Sequence, residues 1–280
     1  MKRTNLLILV GVFMLSFFNY MSGRDLLILL LMRHNGSYWF TNRTEIEMCS
    51  AIDWENTNKM KKLIEKGLNI NAQGKNGITF LIYSYLKEKK KSFKFLIENG
   101  ADPNLFMITE EKTGNRTFSG FHFSAFSLAV EDNEDSYYLE QIVKNVKDLN
   151  ATIPGNIDEK PIYLIYRAIL LSKLTNVILL VEAGANPDPK NDGDTVEAAL
   201  LADNYEMAYY LLQKGVNPLP SKDSIVHFIT NNPYVRLKIG NSGDPETIKM
   251  MEMRDKVIDL LEMKGVKIPD YAKKWNWTNN

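Results

Sequence analysis

The sequence predicts an all-α solenoid of about six helix-turn-helix repeats, preceded by an N-terminal signal or anchor segment. Three observations carry this expectation. An apolar helix end followed by glycine and then an Asp or Asn recurs along the chain, as in Phe95-Leu-Ile-Glu-Asn-Gly100-Ala-Asp-Pro-Asn104. The step from Gly67 to Gly100 is 33 residues, and from Gly184 to Gly215 it is 31. Short turns such as Asn76-Gly77 and Asp192-Gly193 open a first helix upstream of these glycines. A unit of this kind leaves an apolar face that only a stacked neighbour can bury, so repetition is what makes the core.

Composition narrows the class before any element is placed. Of 280 residues, 34 are Lys or Arg and 34 are Asp or Glu, so the formal net charge is zero. That balance argues against nucleic-acid binding and against a polybasic lipid-surface protein. Hydrophobic residues make up 45% and charged residues 24%, which fits globular usage rather than disorder. The single cysteine, Cys49, cannot form an intrachain disulfide or a cysteine-based zinc site. His34, His122 and His227 lie too far apart for an HExxH spacing.

Along the chain, Lys2 and Arg3 precede an apolar run from Leu6 to Phe18. Thirteen helical residues reach about 20 Å, short of a hydrocarbon core near 30 Å. Residues 1–23 therefore read as an export signal, with an uncleaved anchor from Leu6 to Met21 as the alternative. Residues 24–43 form a cap or linker, whose apolar run Leu26 to Met32 is expected to pack on the first repeat. Repeats occupy 44–272, with insertions at about 105–123 and 231–250, and 273–280 is a tail.

Each repeat has a local physical cause. Gly67, Gly100, Gly184, Gly215 and the weaker Gly265 end helices in a left-handed conformation that costs other residues energy. The Asp or Asn that follows bonds its own backbone and sets a turn. Val143 to Asn150 is a degenerate third copy without the glycine. First helices begin at Thr79, a candidate N-cap, and at Thr195; Ser124 to Ala129 and Tyr163 to Ala168 are divergent versions.

The pattern resembles the ankyrin repeat, D-G-x-T-P-L-H-x-A followed by a second helix and G-A-D-x-N, over about Thr44 to Asp270. The resemblance implies a stacked helical surface that binds another macromolecule, with turn tips and first helices facing the partner. On that alignment the exposed positions are Arg43, Glu45 and Trp54 in the first repeat, and Lys75, Asn76, Ile78, Tyr83 and Lys87 in the second. Arg167 is the fourth-repeat equivalent of Tyr83. Tyr, Trp and Arg are the usual interface anchors. Insertions in repeat proteins often fall on the binding face, so Phe106, Arg116 and Phe118 extend the set. The second insertion offers Pro233, Tyr234, Arg236, Lys238 and Asp244.

No catalytic constellation is legible: there is no Gly-rich phosphate loop, G-x-S-x-G elbow or H-E-x-x-H. The chain is expected to be no enzyme and to need no metal or cofactor. Cys49 falls mid-helix and reads as core; His122 reads as a turn-tip residue before the third repeat, His227 as a packed first-helix residue, and His34 has no partner visible in sequence. Glu131, Asp132, Glu134 and Asp135 read as a solvated acidic turn, and Lys87, Lys89, Lys90 and Lys91 as an exposed basic one.

At a finer level the chain looks like the bacterial ankyrin-repeat immunity proteins that accompany type VI secretion lipase effectors. The features behind this are Gly74-Lys-Asn-Gly77, Gly100-Ala-Asp-Pro-Asn-Leu105 followed by a long insertion, and Lys256-Val-Ile-Asp-Leu-Leu261. That resemblance implies a periplasmic protein whose partner is a secreted phospholipase toxin, with membrane contact only through residues 1–21 if they remain. The other reading is a scaffold or adaptor tethered by its N-terminal segment.

Overall fold

The computed structural model describes residues 33–113, 116–132, 136–154, 161–189, 194–231 and 245–273, with the backbone alone for 109–121 and 231. The export signal or anchor expected in 1–23, the run Leu26 to Met32 and the tail beyond Lys273 lie outside these residues. Among the described residues no helix is long and apolar enough to cross a membrane. The chain divides between Ala125 and Phe126 into two compact units.

The first unit starts with a single helical turn, α1 (Gly36–Trp39), and then α2 (Arg43–Asp53) and α3 (Thr57–Glu65). Asn42 caps α2 by accepting the Thr44 amide at 2.8 Å, and Asn56 caps α3 by accepting that of Lys59 at 3.0 Å. Asn76 at φ 60° and Gly77 at φ 81° make the tight turn that the Asn-Gly pair predicts, flanked by a bridge between Gln73 and Thr79. Thr79 then caps α4 (Phe80–Leu86) by accepting the Ile82 amide at 3.1 Å, and α5 (Lys90–Glu98) follows.

The insertion expected as a loop at 105–123 is instead an antiparallel hairpin, β1 (Met107–Thr113) against β2 (Arg116–Phe123), with a register irregularity between Thr109 and Glu111. Pairing of Thr113 with Arg116 leaves a two-residue connection, and Gly114-Asn115 between runs rich in Thr, Ile and Phe is the sequence signal for it. All-α is therefore a description that the structure corrects to predominantly helical.

In the second unit come α6 (Ala125–Glu131), α7 (Tyr137–Asn145), a short pair β3 (Thr152–Ile153) and β4 (Ile162–Tyr163), α8 (Leu164–Leu170) and α9 (Leu174–Glu182). They are followed by α10 (Thr195–Leu201), α11 (Tyr205–Gln213), α12 (Lys222–Asn231), α13 (Pro245–Met263) and α14 (Asp270–Lys273). Residues 245–250, expected as the end of an insertion, are the first turns of α13. Residues 232–244 lie outside the described set.

Four of the helix pairs turn in the same two ways. Between its helices one residue takes the left-handed conformation: Glu55, Glu88, Ser172 and Asp203, with φ from 49° to 56°. After the second helix a glycine does so: Gly67, Gly100, Gly184, Gly215 and Gly265, with φ from 90° to 106°. The next residue then donates its amide to a carbonyl five back, as Ala101 does to Leu96 at 3.0 Å, so the orphan carbonyls of the helix end are satisfied. The Asx residue two after the glycine accepts the amide two further on, for instance Asp102 from Asn104 at 2.9 Å. Asp148 does the same for Asn150 at 2.9 Å, so the third pair keeps the turn without the glycine.

Candidate protein-binding surface

The expected anchors separate into buried and exposed sets. Ile78 and Tyr83 are corrections: both are enclosed, at 0% and 1% exposure. Ile78 sits directly after the Asn-Gly turn, where its carbonyl accepts the Gly74 amide at 2.8 Å and the chain bends its side chain into the core. Tyr83 lies on the inward face of α4, and its hydroxyl donates to Asp53 at the end of α2, with oxygens at 2.9 and 3.0 Å. Burial, with the Asp53 carboxylate beside it, pushes the phenol's pKa far up, so it stays a donor. Lys87, half-buried, rests its ammonium 5.7 Å from the Tyr83 ring centroid.

Cys49 belongs to the same buried layer. It is fully enclosed, and burial, then Asp53 and Glu45, pushes its thiol pKa up, which removes thiolate character and makes it a core residue. A side chain at Gly36 would meet its Cβ, so α1 packs tightly on α2.

Two exposed regions remain in the first unit. At the end of α2, Trp54 is 83% exposed, directly before left-handed Glu55, whose carboxylate accepts the Lys91 amide at 2.8 Å. That bond fixes the turn carrying Trp54 onto the start of α5. At the Asn-Gly turn, Lys75 and Asn76 are exposed, and the Lys75 ammonium lies 4.1 Å from the Tyr38 ring centroid. Tyr38 in turn stacks on His34 at 3.7 Å, which gives His34 a partner that its sequence position hides. Tyr38 is 42% exposed and was no candidate from the repeat pattern, because α1 precedes the first repeat.

The remaining candidates are dispersed. Arg43 opens α2 and pairs with Glu47 at 3.4 Å on the surface, with Glu45 half-buried between them in sequence. Phe106 is half-buried, and its carbonyl accepts from Gln73 at 3.4 Å beside the Gly77 turn. Arg116 and Phe118 pair through their backbones with Thr113 and Glu111, and their side chains lie outside the described residues. His122 lies on β2 opposite Ile108 rather than at a turn tip.

Arg167 does occupy the place of Tyr83, the fourth residue of its first helix. Its guanidinium pairs with Glu131, the last residue of the preceding first helix, as Tyr83 reaches back to Asp53. The Glu131 side chain is almost entirely buried, which corrects the reading of that residue as part of a solvated acidic turn. Asn176 adds to the same junction by donating to the carbonyl of Val130 at 2.9 Å; in the first unit Ser92, likewise third in its helix, donates to that of Ile52 at 3.1 Å.

In the second unit Leu170, Leu171 and Leu201 are exposed apolar side chains at the turns inside the pairs, Ile248 is exposed on α13, and Leu219, Met263 and Tyr271 are exposed elsewhere. Sequence reading missed them, although a leucine at a position where a turn ordinarily carries a polar residue is a usable signal. Among the described residues no group of three or more His, Cys, Asp and Glu is placed to hold a metal ion.

These repeated pairs, tied helix end to helix end, define a helical-repeat protein with solvent-exposed side chains on its turns. No protein-family model matches the chain. The mitochondrial disaggregase of Bos taurus is 25% identical over 137 residues, which is 49% of this chain and 18% of that protein. The chain thus spans less than a fifth of the length of that curated relative. A solved ankyrin repeat domain from Acinetobacter baumannii AYE is similar with a TM-score of 0.49 and 18% identity, covering 78% of this chain and 97% of that one.

Proposed function

We propose that the chain is an ankyrin-type, non-enzymatic protein-binding module that acts as an immunity protein, inhibiting a type VI secretion phospholipase in the periplasm. The observation that carries the binding role is the set of ties between successive pairs. Tyr83 to Asp53, Ser92 to Ile52 and Lys91 to Glu55 lock two neighbouring pairs together, while Trp54 projects from the locked turn into solvent. A surface held in place before binding loses little entropy on contact, which favours tight inhibition. The immunity role and the periplasmic location rest on the sequence resemblance and on the short apolar run behind Lys2 and Arg3.

The test is protection. A phospholipase encoded beside this chain, directed to the periplasm of a host cell, should lyse cells that lack the chain and spare those that co-express it. Calorimetric titration of the purified pair should give a stoichiometric complex. Lysis in spite of co-expression, with no heat of binding, overturns the immunity role. Envelope fractionation with N-terminal sequencing tests export: a soluble cytoplasmic species that keeps Met1 overturns the location.

A further inference from the structure

We propose that the second unit carries a docking groove for a partner polypeptide segment in which bulky apolar side chains are flanked by lysine or arginine. The inference rests on the protein-binding reading above and adds a place and a partner chemistry. A cavity of about 380 Å³ lies between two pair turns and the first half of α13. Its size is at the small end of ligand pockets, enough for side-chain anchors rather than a large cofactor.

The turn walls are tied by backbone bonds, from the Ser172 amide to Ile169 at 2.9 Å and from the Asp203 amide to Leu200 at 3.1 Å. Ser172 and Asp203 are the left-handed residues of their turns, and Asn204 caps α11 by accepting the Met207 amide at 2.9 Å. The α13 side is soft, because Met250 and Met253 line it, and thioether chains adapt to varied apolar shapes. Leu171 and Leu201 are sequence neighbours of the wall residues Ser172 and Ala202, and are 42% and 58% exposed; Ile248, beside Lys249, is 38% exposed. Exposed aliphatic side chains beside a cavity are surface that a partner would cover.

Charge selects the occupant. Glu206 and Glu246 bring two carboxylates to the lining against one ammonium, that of Lys249. Glu206 and Glu246 are solvent-exposed in the first turns of α11 and α13. An anionic lipid surface or an acidic peptide is repelled by this lining, whereas a cationic segment is drawn to it. Apolar contact with Met250 and Met253 then holds what the charge attracts.

The full-length protein tests this by fluorescence-anisotropy titration with a short labelled Lys–Leu peptide, beside versions with Glu for Lys and with Ser for Leu. The Lys–Leu peptide should bind, and each altered peptide at least tenfold more weakly. The pair Glu206→Lys and Glu246→Lys should lower its affinity tenfold or more with an unchanged melting midpoint. Asp259→Lys, an exposed reversal elsewhere on α13, should leave binding as it is. Equal binding of the Lys and Glu peptides, no binding of either, or equal effects of the groove and control reversals overturns the groove. Such a result with protection from the lipase retained overturns the groove alone, whereas lost protection with peptide selectivity intact overturns the immunity reading alone.

Discussion

Asn71 reaches from the end of one helix pair to the turn of the next, where its side-chain oxygen accepts the amide of Asp102 at 2.8 Å. Its side-chain nitrogen donates to the carbonyl of Gly100 at 3.3 Å. In the second unit Asn150 accepts the amide of Asn186 at 2.8 Å, and Asn186 stands two after Gly184 as Asp102 stands two after Gly100. One side chain thus holds both polar groups of the following turn. Asn71→Ala should destabilise the protein by about 1–2 kcal/mol, since two hydrogen bonds are lost and their partners turn to water. Asn71→Asp, which keeps the acceptor and loses the donor, should cost less. Urea melts of the three proteins decide, and equal midpoints would remove this tie from the account.

Gly100 is left-handed at φ 91°, with no atom beyond its chain neighbours within 4 Å of where a side chain would begin. A substitution there meets torsional strain and no clash. Gly100→Val should cost about 1–2 kcal/mol, and Gly100→Asn clearly less, because Asn tolerates this region. Thermal melts that rank Asn with Val would contradict the purely torsional origin.

The buried hydroxyl of Tyr83 satisfies Asp53. Tyr83→Phe keeps the ring and removes the donor to a part-buried carboxylate, for an expected loss of about 1–3 kcal/mol. Pairing it with Asp53→Asn in a double-mutant cycle should recover part of the loss, since the charge that needs the hydroxyl is then gone. Strict additivity of the two changes would show that the contact is energetically silent.

Asp194 is 6% exposed, and its Oδ2 has no hydrogen-bond partner among the described residues. Burial raises its pKa from 3.8 to about 6, against the bond from the Val196 amide; Asp188 and Glu197 nearby push in the same direction as burial. Between these two values the folded protein holds a proton that the unfolded chain has released. This group therefore stabilises the fold at low pH and loses that contribution as pH rises from about 4 through 6. Asp194→Asn keeps the cap oxygen and removes the titration. The variant's stability relative to wild type should be about 2–3 kcal/mol more favourable at pH 7.5 than at pH 4. Denaturant melts at both pH values test this, and a pH-independent difference overturns the assignment.

Trp54 has little packing to lose. Trp54→Ala should leave the melting midpoint within a degree or two and weaken partner binding by about 2 kcal/mol, roughly 30-fold. Calorimetry beside a melting curve separates the two roles: a large drop in midpoint with unchanged affinity would make Trp54 a structural cap of its helix end.

What the sequence determined by itself is the local grammar of the repeat. The left-handed glycines, the Thr79 cap, the Asn76-Gly77 turn and the Asx bonds all follow from interactions spanning a few residues, so residue identity and spacing specify them without knowledge of neighbours. The tertiary structure decided which side of each helix is covered. Tyr83 and Lys75 are both candidates in sequence, but Asp53, thirty residues before Tyr83, turns the phenol inward, while Lys75 stays at a turn tip over Tyr38. Likewise Arg254, on the charged helix α13, is 5% exposed and donates to the carbonyls of Ile229 at 3.2 Å and Ala272 at 2.7 Å. Those partners lie on other elements. A buried cation is tolerable only where the fold brings such acceptors to it, and no local pattern records that.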